Sequence, residues 1–371
     1  MKAAPALPST PATCQHDAVD RTIDYLPLFA EPGPDEVAEF RRATIAAQPG
    51  GSSAQVVQVV GWVLGGLMAL TVGLALLLPS AGVVAGVLSG EFEFVELIGL
   101  IPPIAIGLVI AVVIGRGLLA RRHDWARRLR MARFAEANGL QFAATSPAPS
   151  YPGAIFGLGS SRQVTDHFRT TADRYLDFGN YRYTTGSGKN RTTHQWGFLA
   201  LQLDRTLPHM MLDSRANNGL LGSTNLPAVF AREQVLSLEG DFNEHFTLYC
   251  PVEYERDALY VFTPDLMALL IDEAAPFDVE IVDQWMFVYS ARPFPLGDPA
   301  VYQRLLTIVS TVGEKTLTQT DRYVDERVGE FTANVVAPQG RRLRRGFSWV
   351  GIVLVVGFLA LWLGGVFSSF R

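Results

Sequence analysis

Three long apolar runs stand out in the pattern of hydrophobic and polar positions. They cover 56–78, 97–115 and 347–367, and each approaches the ~20 apolar residues that a membrane-spanning helix needs. Backbone groups in hydrocarbon must be paired within their own segment, so each run predicts a helix. The sequence therefore predicts three transmembrane α-helices, the first two forming a helical hairpin over 55–117 with a kink at Pro102–Pro103.

Arginine clusters beside these runs predict their orientation, because basic residues that flank membrane spans stay on the cytoplasmic side. The connector 79–96 carries glutamates and no basic residue. We therefore expect a multi-pass plasma-membrane protein with its N-terminus and residues 116–346 in the cytoplasm and its C-terminus outside. The arginines expected to meet lipid headgroups are Arg121, Arg122, Arg127, Arg128, Arg130, Arg341, Arg342, Arg344 and Arg345.

The sequence also makes predictions for the N-terminal tail, for the segment after the second span and for the glycines of the first span. Residues 1–54 predict a largely disordered cytoplasmic tail with one short helix at 36–48. Residues 118–139 predict a basic juxtamembrane helix. Gly61 and Gly65 form a GxxxG spacing, which favours either packing among the spans of this chain or self-association as a homo-oligomer.

The pattern changes to alternating, β-branched and aromatic residues after a Pro- and Ser-rich break at 146–152. Strands are predicted at 163–170, 174–184, 193–204, 207–212 and 246–252, and a hairpin at 279–282 and 285–290, turning at Asp283–Gln284. Thr263-Pro264 opens one helix, and Asp298-Pro299 opens a longer one that runs to about Glu330. Residues 150–340 thus predict a cytoplasmic α+β domain of antiparallel sheets with packed helices, with 150–232 and 235–332 as sub-modules.

The net charge of the predicted domain limits which classes of partner it can bind. Residues 134–340 hold 15 basic and 25 acidic side chains, a net charge of −10, and offer no basic footprint for nucleic acid. The whole chain is 18% charged, below the ~25% typical of soluble proteins, which agrees with lipid-facing segments. We therefore expect the lipid bilayer and a protein at the cytoplasmic face as partners, and no nucleic acid.

No motif assigns catalytic, cofactor or metal chemistry. Gly186-Ser187-Gly188-Lys189 lacks the first glycine and the final Ser/Thr of a phosphate loop, and predicts a hairpin turn. The six histidines have no metal-site spacing, and Gly159-Ser160-Ser161 is not a nucleophile elbow. Glu253, Glu255 and Asp257 alternate as on one strand face, where such side chains are more often solvated than bound to a cation. Cys14 and Cys250 predict free thiols in a reducing cytoplasm.

A set of residues between positions 239 and 290 carries a family resemblance. These are Phe242, Phe246, Tyr249, Ala258, Tyr260, Thr263, Pro264 and Met267, followed by an aromatic hairpin that ends at Tyr289. The set resembles the signature of a bacterial family of membrane-anchored proteins that is catalogued only as a domain of unknown function. The resemblance implies transmembrane helices beside a cytoplasmic α+β domain, and it implies no activity. Each residue of the set also has a packing explanation, as a core aromatic, a helix cap or a filler.

Three functions stay open. The first is a non-enzymatic binding or scaffold module, which the acidic domain and the lack of a catalytic motif favour. The second is a membrane-tethered hydrolase or transferase with a non-standard site. The third is a component of a small-solute channel, based on Pro102–Pro103 and the glycines. A concave pocket with convergent polar side chains would favour the second function over the first.

Overall fold

A computed structural model describes residues 23–47, 101–170, 174–219, 224–329 and 334–346, with the short pieces 65–67, 73–74 and 88–89. The chain divides into two compact units. Phe29–Met131 is called the helical unit, and Met1–Leu28 with Ala132–Arg371 is called the sheet unit.

One seven-stranded antiparallel sheet organises the sheet unit. Its strands are β1 Leu140–Pro147, β2 Ser160–Thr170, β3 Leu176–Thr185, β4 Thr192–Ser214, β5 Val235–Leu236, β6 Phe246–Tyr249 and β7 Asp278–Ser290. The strand order is β1-β2-β3-β4-β6-β5, and β7 pairs with β4. The predicted α+β class with antiparallel strands is confirmed.

The central strand β4 holds the sheet together because it is paired along both edges. Thr192–Leu201 pairs with β3, Gly197–Leu212 pairs with β7, and Met211–Ser214 pairs with β6. The sequence predicts two separate strands here, at 193–204 and 207–212. The structure joins them, because register shifts against β7 take up the polar residues in the middle without ending the pairing.

The predicted hairpin that ends at Ser290 is wrong, because β7 is one continuous strand. Asp283 takes a left-handed φ of 54° opposite Leu207, where the register between β4 and β7 shifts. The polar pair Asp283–Gln284, which resembles a turn in the sequence, therefore lies at a bulge. That bulge keeps both halves of β7 paired to β4.

The helices differ in length from the sequence prediction. They are α1 Leu26–Phe29, α2 Pro34–Ala47, α3 Ile101–Ala137, α4 Phe242–His245, α5 Glu255–Val261, α6 Pro264–Leu269, α7 Pro299–Ile308 and α8 Glu314–Thr320. Five-residue π-helical segments, Leu270–Ala274 and Val309–Gly313, extend α6 and α7. The long helix predicted to reach Glu330 therefore ends at Thr320 and contains a π segment. Gly313 suits that segment because a Cβ there would lie 2.7 Å from Leu201 Cδ2.

Aromatic rings fill one face of the sheet, here called the helix-covered face. Phe168 stacks on Phe178 with ring centroids 4.8 Å apart, and Tyr302 of α7 lies 4.8 Å from Phe134. All four side chains are fully buried. The end of α3 and the start of α7 therefore pack on β2 and β3. Tyr25, in the predicted tail, also stacks on Phe134 at 6.1 Å.

The helical unit contains α2 and most of α3. The ring of Phe40 meets Trp125 edge-on at 6.3 Å, and the Arg128 guanidinium lies 5.1 Å from the Trp125 ring. Asp124 forms ion pairs with Arg127 at 3.1 Å and with Arg128 at 2.9 Å. Two of the arginines predicted to meet lipid headgroups thus have a carboxylate partner on their own helix.

Among the residues that the structure describes, no helix is both long and apolar enough to cross a membrane. Of the predicted span 97–115, only the part from Ile101 onwards lies within the described residues, where it forms the start of α3. The predicted span 56–78 lies largely, and 347–367 wholly, outside the described residues. The fold class with three transmembrane helices, and with it the description as a transmembrane protein, is therefore wrong for the described chain.

Gly197→Ala should destabilise the fold, because the central strand has no room for a side chain there. A Cβ at this position would lie 2.6 Å from the nearest atom of the Phe294 ring. Two hydrogen bonds of 3.0 and 2.6 Å between Asn180 and the Phe294 backbone hold that segment in place. We expect the free energy of unfolding to fall by about 1–3 kcal/mol, measured by chemical denaturation. Gly117→Ala, at an open helical position, is the control, and an equal loss in both variants would contradict the packing argument.

Candidate functional site

Loops close the other face of the sheet, here called the loop-covered face. Strand residues such as Phe198 and Phe287 are buried there beneath loop residues, which are Ile155, Phe156, Leu226, Phe230 and Leu343. Because side chains alternate between the faces of a strand, four carboxylates lie on this face: Asp177, Asp213, Asp278 and Glu280. A carboxylate away from water needs hydrogen-bond donors, so the surroundings of these four groups are candidates for function.

Asp177 belongs to a chain of hydrogen bonds that ends at a serine hydroxyl. Asp177 Oδ1 lies 2.5 Å from His167 Nε2, and His167 Nδ1 lies 2.5 Å from Ser146 Oγ. Asp177 is fully buried, His167 is 3% exposed and Ser146 is half-buried. With the carboxylate accepting from Nε2–H, Nδ1 is left to accept the serine proton, which is the polarity of a general base next to a nucleophile. We call this set the Ser146–His167–Asp177 relay.

Strand pairing and a bulge bring the relay together. Its three residues come from the neighbouring strands β1, β2 and β3. Asp166 has a φ of 49°, and the register between β2 and β3 shifts between Thr165 and Phe168, beside His167. Tyr151 donates its hydroxyl proton to Asp177 Oδ2 at 2.5 Å. Burial and the Asp177 charge raise the pKa of Tyr151, so this hydroxyl stays a donor.

Glu280 forms a second buried cluster. Its Oε1 lies 2.7 Å from His209 Nε2, and its Oε2 accepts at 2.7 Å from both the Tyr289 hydroxyl and the Ala154 backbone N–H. His209 Nδ1 accepts the Leu343 backbone N–H at 3.1 Å, so the ring proton is on Nε2. Every polar atom of this cluster has a partner, and its role is to fasten two loops to the sheet.

Asp213 and Asp278 form the third group, at the end of the face where β4 stops and β7 begins. Burial raises the pKa of Asp278 to about 7, and the nearby Asp213 carboxylate adds to the rise. Burial likewise raises the pKa of Asp213 to about 6, against hydrogen bonds from Thr224 and Asn218. The two carboxylates therefore resist ionising together.

A surface cleft lies away from this face, between α5 and the segment that follows α8. It encloses about 520 Å³ and is called the arginine cleft. Its lining residues are Arg256, Asp257, Tyr260, Arg322, Tyr323, Val324, Glu326 and Arg327. Three arginines face two carboxylates there, so the lining carries a net charge of +1 within a domain of net −10.

One wall of the arginine cleft is fixed by buried partners. Arg327 donates to Asp257 Oδ2 at 2.9 Å and to Asp325 Oδ1 at 3.2 Å, and its guanidinium lies 4.0 Å from the Tyr254 ring. Tyr323 donates to Asp257 Oδ1 at 2.8 Å. Burial opposes ionisation of Asp325, but hydrogen bonds from Ala337, Tyr254 and Arg327 outweigh it and lower its pKa. Arg327 is thus already paired with two carboxylates, those of Asp257 and Asp325.

The other two arginines of the cleft are exposed. Arg322 lies 3.8 Å from Asp321, with 89% of its side chain exposed, and such a pair contributes little. Arg256 projects from α5, which also carries Tyr260. The cleft therefore presents two solvated guanidinium groups beside an aromatic pair, because Tyr260 and Tyr323 lie 6.2 Å apart.

The arginine cluster at 341–345 is folded against the sheet unit. Arg342 forms a two-point ion pair with Asp283 at 2.8 and 2.9 Å. The Arg344 backbone exchanges two hydrogen bonds with the Gln234 side chain, and Arg345 bridges to Phe230. A second cleft of about 670 Å³ lies here and includes Arg341. Of the remaining predicted headgroup residues, Arg121, Arg122 and Arg130 lie in α3, where the side chains of the first two fall outside the description.

The residues of the family resemblance occupy structural positions. Phe242 stacks on Phe246 at 5.2 Å, and Tyr249 lies 5.4 Å from Phe230. Ala258 and Tyr260 lie on α5, and Tyr260 also lines the arginine cleft. Thr263 and Pro264 start α6, which contains the half-buried Met267. Thr263 does not cap with its side chain as predicted: its Oγ1 has no hydrogen-bond partner among the described residues.

Other candidate motifs have plain roles. Glu253, Glu255 and Asp257 do not share a strand face, because they lie in a 3₁₀ turn and α5. The loop at 186–190 joins β3 to β4 as the predicted hairpin, with a 3₁₀ turn at Gly188–Asn190. Burial raises the pKa of the Cys250 thiol to about 12, so it is not a reactive thiolate, and Cys14 lies outside the described residues.

Sequence reasoning missed both the relay and the arginine cleft. Ser146, His167 and Asp177 lie on three strands, and only the strand register brings them together. The one available signal was a polar residue at an inward position, such as Asp177 between Leu176 and Phe178. The cleft gave no sequence signal, because its residues come from two segments more than 60 positions apart.

Comparison with known proteins gives no family. No protein-family model matches the chain, and no curated protein matches it. Among solved structures, the crystal structure of the mycobacterial trehalose monomycolate transport factor A is similar with a TM-score of 0.34 and 10% sequence identity. The similar region covers 57% of this chain and 97% of that one. A likeness this weak carries no argument about function.

Glu280→Gln should destabilise the sheet unit. All three neighbours of the carboxylate are donors, so the new amide nitrogen must face one of them and leave it unpaired. We expect a loss of about 1–3 kcal/mol in the free energy of unfolding, measured by chemical denaturation. Glu233→Gln, at an exposed position, is the matched control. If both variants were as stable as the original chain, the role assigned to Glu280 would be incorrect.

Proposed function

We propose that this protein is a binding module whose arginine cleft takes an anionic group, a carboxylate or a phosphate, of a partner molecule. The observation that carries the proposal is the placement of Arg256 and Arg322 in one cleft with Arg327 already neutralised by Asp257 and Asp325. Guanidinium groups bind carboxylate and phosphate through paired, charge-assisted hydrogen bonds.

The rest of the cleft supports a binding role. The Arg327 ion pairs and the Tyr323 hydrogen bond hold one wall in place before any partner arrives, which reduces the entropy lost on binding. The Gln319 side chain donates to the Tyr260 backbone at 2.7 Å and joins α8 to α5. Tyr260 is 42% exposed and offers an aromatic surface beside the charges.

The double variant Arg256→Gln/Arg322→Gln tests this function in the full-length chain. Calorimetric titration at low salt with citrate and with pyrophosphate presents a carboxylate and a phosphate probe. We expect one of the probes to bind the original chain and the double variant to bind it at least tenfold more weakly, since each charged hydrogen bond contributes about 1.5–3 kcal/mol.

The control for that titration is Arg182→Gln, an exposed arginine on β3 outside the cleft. It should bind the probe as the original chain does. Equal affinity in the double variant and the control, or no binding of either probe, would contradict the proposal.

A second candidate function, ester hydrolysis, is favoured by the Ser146–His167–Asp177 relay. Ser146 Oγ would attack the acyl carbon while its proton passes to His167 Nδ1. The leaving alcohol would take that proton, and water would then release the acid and restore the serine. The relay has the required order of groups, but it lies outside both clefts described above.

Labelling with a fluorophosphonate probe, which forms a covalent bond with an activated serine, tests the second candidate. We expect the full-length chain to be labelled and Ser146→Ala to lose the label, because the relay activates only that hydroxyl. Ser310→Ala, at an exposed helical serine, should keep it. Absence of labelling in the original chain, or equal labelling of Ser146→Ala, would rule out this candidate.

A further inference from the structure

Four buried oxygen atoms lack hydrogen-bond partners at the end of the loop-covered face where β4 stops and β7 begins. They are Asp213 Oδ1, Asn217 Oδ1, Asn218 Oδ1 and Asp278 Oδ2, and none has a partner in the described part of the chain. Asp278 is fully buried and Asp213 is 4% exposed. Buried polar atoms are almost always paired, so two neighbouring buried carboxylates that each have an unpaired oxygen call for a ligand.

The strand register places the two carboxylates face to face. Leu212 of β4 pairs with Val279 of β7, and one further step of this antiparallel register sets Asp213 opposite Asp278. Residues directly opposite each other have Cβ atoms about 4.5–5.5 Å apart and point to the same face. Two like charges at that distance repel each other unless a positive charge lies between them.

Each of the two carboxylates has one buried oxygen that accepts no hydrogen bond from the described residues. The Ser214 backbone N–H donates to Asp278 Oδ1 at 2.9 Å, which leaves Oδ2 unpaired. Thr224 and Asn218 lie close enough to Asp213 to lower its pKa, as Asn217 does for Asp278, and the Asn217 Nδ2 also donates to the Pro276 backbone carbonyl at 3.4 Å. A half-turn of either amide exchanges its nitrogen for its oxygen, so Asn217 and Asn218 can present oxygen atoms to the same point without moving their backbone.

We propose that Asp213, Asn217, Asn218 and Asp278 bind a divalent cation, with calcium preferred over magnesium. Two carboxylates balance the charge of the ion, and amide oxygens complete a set of hard ligands that calcium accepts. Calcium tolerates irregular sites of six to eight oxygens, with water filling the remaining positions. Magnesium demands near-octahedral geometry and gives up its water reluctantly, which a buried pair of strands does not suit.

The proposed site differs from the usual acidic metal cluster. No group of three or more His, Cys, Asp or Glu side chains among the described residues is arranged to hold a metal ion. Here the set contains two such residues, and its remaining ligands are amides. The proposed cation site and the arginine cleft share no residue, so a failed test of one proposal leaves the other unaffected.

The alternative to a cation is a shared proton. Burial favours the protonated form of both carboxyl groups, which would also remove the repulsion between them. In that case the folded state binds more protons than the unfolded state, and stability falls as the pH rises from about 4 to about 7. A bound cation would balance the charges of both carboxylates, so neither group would need to be protonated.

The experiment uses the full-length chain, stripped with a chelator and then titrated with calcium chloride or magnesium chloride. We expect calcium to raise the melting temperature and to bind in calorimetry, and magnesium to bind at least tenfold more weakly. Asp278→Asn should bind calcium at least tenfold more weakly. Without calcium, this variant should be as stable as the original chain or more so, because it removes the repulsion. Asp272→Asn, exposed and six positions earlier, should behave as the original chain.

A second measurement covers the case in which Asp278→Asn fails to fold. Terbium replaces calcium, and its luminescence is excited through nearby tyrosines, among which Tyr249 feels the Asp213 charge. We expect Asp213→Asn to lower the terbium affinity at least tenfold. The proposal is overturned if the stripped chain does not respond to calcium or if the Asp213 and Asp278 variants respond as fully as the original. A loss of stability between pH 4 and 7 without any calcium response would identify the shared proton instead.

Discussion

Buried carboxylates on the loop-covered face constrain the rest of the sheet unit, because each must find donors away from water. The strands β3, β4 and β7 supply the carboxylates, and the loops supply much of the donor set. Glu280 accepts the Ala154 backbone N–H, and Asp177 accepts the Tyr151 hydroxyl. The loop between β1 and β2 is thereby fastened to strands that follow it by as many as 126 positions. The apolar layer of Ile155 and Phe156 is held over the sheet by polar contacts beneath it.

The relay and the arginine cleft, both in the sheet unit, differ in how water reaches them. The relay places its histidine and aspartate in the interior and only the serine near the surface. The arginine cleft neutralises its inner charges and leaves the outer ones solvated. A solvated charge loses little on meeting an ion of opposite sign, whereas a buried one must already be paired. This contrast is why a binding role is assigned to the cleft and a chemical role only to the relay.

Local patterns predicted much of the fold. Alternation and β-branched residues located β2, β3 and β4, and the Asp298 cap located the start of α7. The prediction failed where one residue changes the path of a strand or helix. Asp283–Gln284 has turn composition, yet pairing with β4 on both sides makes it a bulge. The membrane spans were predicted from apolar length alone, and no helix among the described residues is both long and apolar enough to be one. The candidate sites depend on register between distant strands and on helix packing, which a single sequence does not encode locally.

The π segment Val309–Gly313 has a consequence for a cleft that it does not line. One extra residue in a turn changes the helical phase of everything after it by about 100°. In the observed phase, Gln319 of α8 reaches the backbone of Tyr260, and the chain continues into Arg322 and Tyr323. With an ordinary α-helical turn in its place, α8 would present a different side to α5, and the two walls of the arginine cleft would no longer face each other. Removing a single residue between 309 and 313 would therefore rearrange a surface cleft while leaving all of its lining side chains in the chain.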